Sequence, residues 1–122
     1  VKELNKFTLK VFDVVRAIPR GRVATYQQVA GLAGKIHASR GVAWILNSCS
    51  KKYKLPWQRV INSQGRVSFK PGTSHFMLQR RLLQKEGVVV DPQSGAVQMA
   101  KFQYKKKARK PKPSRNQPRM FS

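Results

Sequence analysis

At 122 residues and 40% hydrophobic content the chain is bounded to one domain with one modest core. Its 26 Lys and Arg face only Glu3, Asp13, Glu86 and Asp91, a net charge of +22 that repels itself and favours a polyanionic partner. No run approaches the ~20 apolar residues of a membrane span, so nucleic acid leads over a membrane surface. The single Cys49 rules out an intramolecular disulfide and suits a reducing interior.

Residues 101–122 hold nine of the 26 basic residues and no acid, which leaves +13 on the first hundred residues; the body is basic in its own right. The chain begins at Val1 and shows no secretory signal pattern. The expected compartment is intracellular, a nucleus in a eukaryote and otherwise cytoplasm or nucleoid.

In chain order, Phe7, Val11, Val14, Val15 and Ile18 recur at helical spacing and predict a helix over 6–18. Pro19-Arg20-Gly21 is a breaker and turn. Thr25 and Gln28 have the spacing of a capping box, which opens a second helix at about Tyr26 and carries it to Ala33, before Gly34. Val42, Ile45, Leu46 and Cys49 form the apolar stripe of a third helix. A Lys-rich loop over 50–56 follows. Short strands are expected at 59–61 and 66–69 around Asn62-Ser63-Gln64-Gly65. A further helix is expected over 74–86, with Leu78, Leu82 and Leu83 as apolar members and Gly87 as its stop. A hairpin is expected between 88–90 and 96–99. Two short helices joined by a turn, with small β elements after them, make a winged helix-turn-helix in a mainly α domain of residues 1–104. From 105 to 122 the apolar pattern stops and Pro111, Pro113 and Pro118 interrupt a basic tail, expected to be disordered or ordered only on a partner. The tail run Lys105-Lys106-Lys107-Ala108-Arg109-Lys110 fits a nuclear-import signal or plain phosphate binding equally.

Taken singly, the candidate residues have ordinary readings. Tyr26 fits a core aromatic at a helix start, Arg40 a surface charge, and Trp57 after Pro56 a structural tryptophan. Cys49, on an apolar stripe, reads as a small buried hydrophobe. His37 and His75 have no Cys or carboxylate at metal-ligand spacing, and no cofactor motif is visible.

Four segments in order change that weighting: Gly21-Arg22-Val23-Ala24-Thr25-Tyr26, then Ala38-Ser39-Arg40-Gly41-Val42, then Leu55-Pro56-Trp57-Gln58-Arg59-Val60-Ile61, then Leu82-Leu83-Gln84-Lys85-Glu86-Gly87. Together they resemble the C-terminal DNA-binding domain of the O6-alkylguanine-DNA alkyltransferase family over roughly residues 7–104. Active members of that family carry Pro-Cys-His-Arg-Val where this chain has Pro56-Trp57-Gln58-Arg59-Val60. The resemblance implies that Trp57 stands in place of the alkyl-accepting cysteine and Gln58 in place of its activating histidine, while Glu86 matches the glutamate that orients that histidine. An indole cannot accept the alkyl group and an amide cannot act as a base, so no enzyme activity is expected. Trp at the acceptor position marks the alkyltransferase-like branch.

The resemblance further implies that Tyr26, with Thr25 before it, rotates the target nucleotide out of the duplex. Arg40 fills the vacated stack, flanked by the small residues Ala38, Ser39 and Gly41 on a helix lying in the minor groove. The lesion pocket is then expected to be lined by Tyr26, Pro56, Trp57 and Lys70. The function so implied is non-enzymatic recognition of O6-alkylguanine in double-stranded DNA by a monomer, flagging damage to nucleotide excision repair proteins. Two alternatives stand beside it: an alkyltransferase using Cys49, and a general nucleic-acid-binding protein without lesion preference.

Overall fold

The computed structural model describes residues 4–105; all of the expected tail, 105–122, but its first residue lies outside them. The elements run α1 (Lys6–Ala17), β1 (Ala24–Thr25), α2 (Tyr26–Leu32), α3 (Ser39–Tyr53), a single 3-10 turn (Trp57–Arg59), β2 (Val60–Ile61), α4 (Ser74–Lys85) and α5 (Met99–Phe102). Helices with a small two-stranded sheet give the expected mainly α winged helix-turn-helix.

Local chemistry sets the boundaries. Asn5 caps α1 by accepting the Thr8 N–H at 2.8 Å. The helix stops at Ile18, which turns extended (ψ 117°) because Pro19 crowds the α conformation of the residue before it. Thr25 and Thr73 cap α2 and α4 by accepting the N–H groups of Gln28 and Phe76. The capping box at α2 is only half made. The Gln28 amide donates instead to the Tyr104 carbonyl and accepts from Gln103, because the chain after α5 returns alongside β1 and offers it closer partners.

Three expectations need correction. The region 50–53 is not loop: α3 continues to Tyr53, whose ring packs on Phe12 at 4.9 Å and whose carbonyl accepts from Arg16. Lys51 and Lys52 suit the negative end of that helix. The stretch 59–61 does not pair with 66–69. Its Val60–Ile61 segment pairs in parallel with β1, Ala24 opposite Val60 and Thr25 opposite Ile61. The wing is instead a set of single bridges, Arg66 to Ala96 and Val90 to Val97, closed by the Asp91–Gly95 turn, and Met99 begins a helix rather than ending a strand. Along α4 the buried residues are Phe76, Gln79 and Leu83, while Leu78 is exposed.

Two hydrophobic clusters result, and the short sheet separates them. Ala24 and Val60 face the first, with Val11, Phe12 and Val15 of α1, Val29 and Ala30 of α2, and Val42, Ile45 and Leu46 of α3. Val23 and Ile61 face the second, with Val67, Phe76, Leu83, Val88, Val90, Val97 and Phe102. This is the alternation of a strand buried on both faces. The first cluster sets α3 against α1 and α2; the second sets α4 and the wing. The surface between these halves is where the site lies.

Candidate functional site

A cavity of about 670 Å³ opens between α3 and the segment 55–78, within the ~300–1,000 Å³ common for small-molecule sites. Ala43, Leu46, Asn47, Ser50 and Lys51 of α3 form one side; Leu55, Trp57, Ser68, Phe69, His75 and Leu78 form the other, with Tyr26 between them. Trp57 meets Phe69 edge to face at 6.2 Å, and Phe69 lies against His75 at 5.1 Å. Four aromatic faces around one hollow, with Asn47 and Ser68 as polar groups, form a site for a flat ring bearing hydrogen-bonding edges. The Ser50 hydroxyl is buried at this wall and has no partner among the described residues.

Tyr26 donates to the Ser68 hydroxyl at 2.8 Å. Burial pushes its phenol above the ordinary range, and the Ser68 bond offsets only part of that, so the side chain remains a neutral donor. Gln58 and Glu86 form a second polar cluster behind the 3-10 turn. Glu86 accepts from Gln58 Nε2 at 2.8 Å, from Arg59 Nε at 3.0 Å and from the Gly21 N–H at 3.0 Å. Burial alone would raise the Glu86 carboxyl, but the bonds from Arg59, Gly21 and Gln58 outweigh it and hold the group below the ordinary carboxylate range. Arg59 also donates to the Ile18 carbonyl, so this cluster ties the end of α1, the 3-10 turn and the end of α4 together.

The structure brings Tyr26 and Trp57 to one cavity. Arg40, exposed at the second position of α3, lies two turns before Asn47 and within about 20° of it around the helix, on the side that leads to the cavity mouth. The other two residues expected in the lesion pocket, Lys70 and Pro56, do not line the cavity. Lys70 is exposed in the bend before α4 and does not line the cavity; Phe69 takes that wall, because the chain turns there and directs the preceding ring inward. Pro56 precedes the 3-10 turn and accepts from the Arg59 N–H, outside the lining. Ala38 packs against the first core cluster, and Gly41 lies near Phe7 of α1, where an added Cβ would make an ordinary contact at 3.8 Å. Ser39 is half-buried at the first turn of α3, and the Thr25 hydroxyl is committed to capping α2. Cys49 is half-buried against the first core cluster and does not line the cavity. Among the described residues no group of three His, Cys, Asp or Glu side chains could hold a metal ion, and no helix is long and apolar enough to cross a membrane.

Sequence reasoning missed Gln79, and its signal was present: a polar residue in the Phe76-Gln79-Leu83 register of α4. It is 1% exposed, donates to the Gln58 and Val60 carbonyls at 3.0 Å and accepts the Ser68 N–H at 3.3 Å. It thereby fixes both Ser68, which holds Tyr26, and the turn that carries Trp57. Gln79→Leu keeps the volume but strands one donor and two acceptors, so it is expected to lose about 2 kcal/mol. Urea unfolding would read this as a lowered midpoint at constant slope; an unchanged midpoint would show the clamp to be dispensable.

The sequence model described as 6-O-methylguanine DNA methyltransferase, DNA binding domain, matches residues 6–88. The chain belongs to this family. A relative in Vibrio parahaemolyticus, named DNA base-flipping protein, is 35% identical over 101 residues, covering 83% of this chain and 98% of its own. Alkyltransferase-like protein 1 of Schizosaccharomyces pombe is 33% identical over 87 residues, covering 71% of this chain and 81% of its own. In three dimensions the chain is similar to S. pombe Atl1, crystallised in complex with damaged DNA containing O6-carboxymethylguanine, with a TM-score of 0.75 at 28% identity over 86% of this chain and 100% of that one. Within this family the chain thus stands beside proteins named for base flipping and for alkyltransferase likeness.

Proposed function

We propose that this protein recognises O6-alkylated guanine in double-stranded DNA by flipping the nucleotide into the cavity between α3 and Trp57, and that it transfers no alkyl group. One observation carries the reading: a cavity of about 670 Å³ walled by aromatic rings opens beside the exposed face of a basic helix, and no thiol lines it. The likeness to S. pombe Atl1, crystallised with damaged DNA containing O6-carboxymethylguanine, supports damaged DNA as the partner.

The steps follow from the residues. Lys and Arg of the body bring the chain to the phosphates. Flipping costs a few kcal/mol of lost stacking and pairing. Arg40 enters the stack and its guanidinium hydrogen-bonds the orphaned base. Tyr26 crowds the phosphate beside the target, and Ser68 and Gln79 hold its ring in place. The flipped purine lies among Trp57, Phe69 and His75, where Phe69 supplies the stacking surface that Lys70 does not. Trp57 stands where the family's enzymes carry their acceptor, and Gln58 keeps the hydrogen bond to Glu86 that a histidine would make, but without a basic lone pair. The protein acts as a monomer, and the bound complex marks the lesion for nucleotide excision repair.

Incubation with a duplex whose O6-methylguanine carries a labelled methyl group tests the absence of transfer. The label is expected to stay on the DNA for wild type and Cys49→Ala alike. Label on the wild-type protein, lost in Cys49→Ala, would establish the cysteine as an acceptor and end this reading.

A further inference from the structure

Trp44 is the most exposed of the large hydrophobic side chains among the described residues, at 69%. It belongs to neither core cluster and takes part in none of the ring pairs or cation contacts among the described residues. It sits one turn after Arg40 on α3, about 40° from it around the helix, and is not among the side chains that line the cavity. The helix that carries it has Arg40, Lys51 and Lys52 and no acidic residue, so α3 brings only positive charge alongside the indole. An indole left in water on a basic helix face matches a partner that offers negative charge and flat apolar rings together, and nucleic acid does both.

Resting on the lesion-binding reading above, we infer that Trp44 is a second side chain of α3 that enters the duplex, packing its indole against an exposed base step beside the one opened by Arg40. Arg40 and Trp44 are four residues apart on α3, a rise of about 6 Å along the helix, so one helix face presents both side chains to the duplex. Apolar wedges of this kind unstack a step and bend the duplex. Because Trp44 lies off the cavity, its contribution falls on the DNA around the lesion and not on the flipped base. It strengthens binding to plain and alkylated duplexes by similar factors, while the preference between them belongs to the cavity.

The chain has two tryptophans, so Trp57→Phe leaves Trp44 as the only indole, excited apart from the tyrosines at the red edge. Titrated with plain duplex, with complex formation followed by the anisotropy of a labelled strand, its fluorescence is expected to be quenched and shifted to the blue. Trp44→Ala, which touches neither core cluster, is expected to keep the wild-type unfolding midpoint. It should bind plain and O6-methylguanine duplexes each about tenfold more weakly, the size of one lost base–aromatic stack, with Trp44→Phe recovering most of the loss. Unchanged emission in a complex that anisotropy shows to be formed would overturn the inference and leave the indole for a partner other than DNA; so would undiminished affinity in Trp44→Ala. A wild-type protein with no preference for the alkylated duplex would instead remove the lesion reading and leave the plain-duplex result for Trp44 intact.

Discussion

Glu86→Ala is expected to destabilise the fold by about 3–5 kcal/mol, the usual loss when one partner of a buried ion pair is removed. The Glu86 side chain is 4% exposed and its Arg59 partner 17%. Alanine would leave Arg59 Nε, the Gln58 amide and the Gly21 N–H without their acceptor, and would remove one of the links between the 3-10 turn, the turn after α1 and the end of α4. Equilibrium urea unfolding gives the size of the loss; a change below ~1 kcal/mol would mean that water replaces the carboxylate at little cost. The pH dependence carries the same signature. The folded Glu86 carboxyl lies below its ordinary value of 4.5, so its contribution is fully present above that pH and is lost as pH falls through the folded value. Glu86→Gln should flatten the acid limb of the stability curve. A shallow slope remains from Asp91, which the Gln93 N–H and the Ser94 hydroxyl hold low.

Arg40→Ala is expected to weaken binding to an O6-methylguanine duplex on the order of 10²-fold, or about 2.7 kcal/mol. Arg40 is exposed and makes no ion pair among the described residues, so its removal leaves the fold untouched and the change is read on DNA alone. The loss combines a charge-assisted hydrogen bond to the orphaned base with the stack that offsets flipping. Arg40→Lys should recover only part of it, since an ammonium neither stacks nor offers a planar fork. Fluorescence of 2-aminopurine next to the lesion would separate the two components: affinity and the unstacking signal should fall together. A variant that binds weakly but still unstacks the neighbour would reduce Arg40 to a phosphate contact.

The parts of the fold governed by local pattern were legible in the sequence. Helices α1 and α2 were readable from apolar spacing, the Thr25 cap and the Pro19 stop, because these act within a few residues of themselves; α4 was readable in extent, but of its expected apolar members only Leu83 is buried. The parallel pairing of β1 with β2 was not, since two residues on each side carry no pattern and their pairing depends on the crossover through α2 and α3. The extension of α3 to Tyr53 was hidden for a similar reason: Phe12 and Arg16, far away in sequence, hold its last turn. Tyr26 and Trp57 could be assigned to the site from motif order alone. The exchange of Lys70 for Phe69 at the cavity wall could not, because a bend between two adjacent residues decides which faces inward. Gln79 shows the opposite case, in which a polar residue on an apolar stripe was visible but its carbonyl partners at Gln58 and Val60 were not.

If this cavity holds an alkylated guanine, the protein must distinguish two duplexes that differ only there. Affinity should be measured at one salt concentration for matched duplexes with guanine or O6-methylguanine at a single position. Binding at least ~10-fold tighter to the alkylated duplex is expected, since the damaged pair is easier to open and its base fills the aromatic pocket. Equal affinity for the two would reduce the chain to a coat for nucleic acid and leave the pocket without the role given to it.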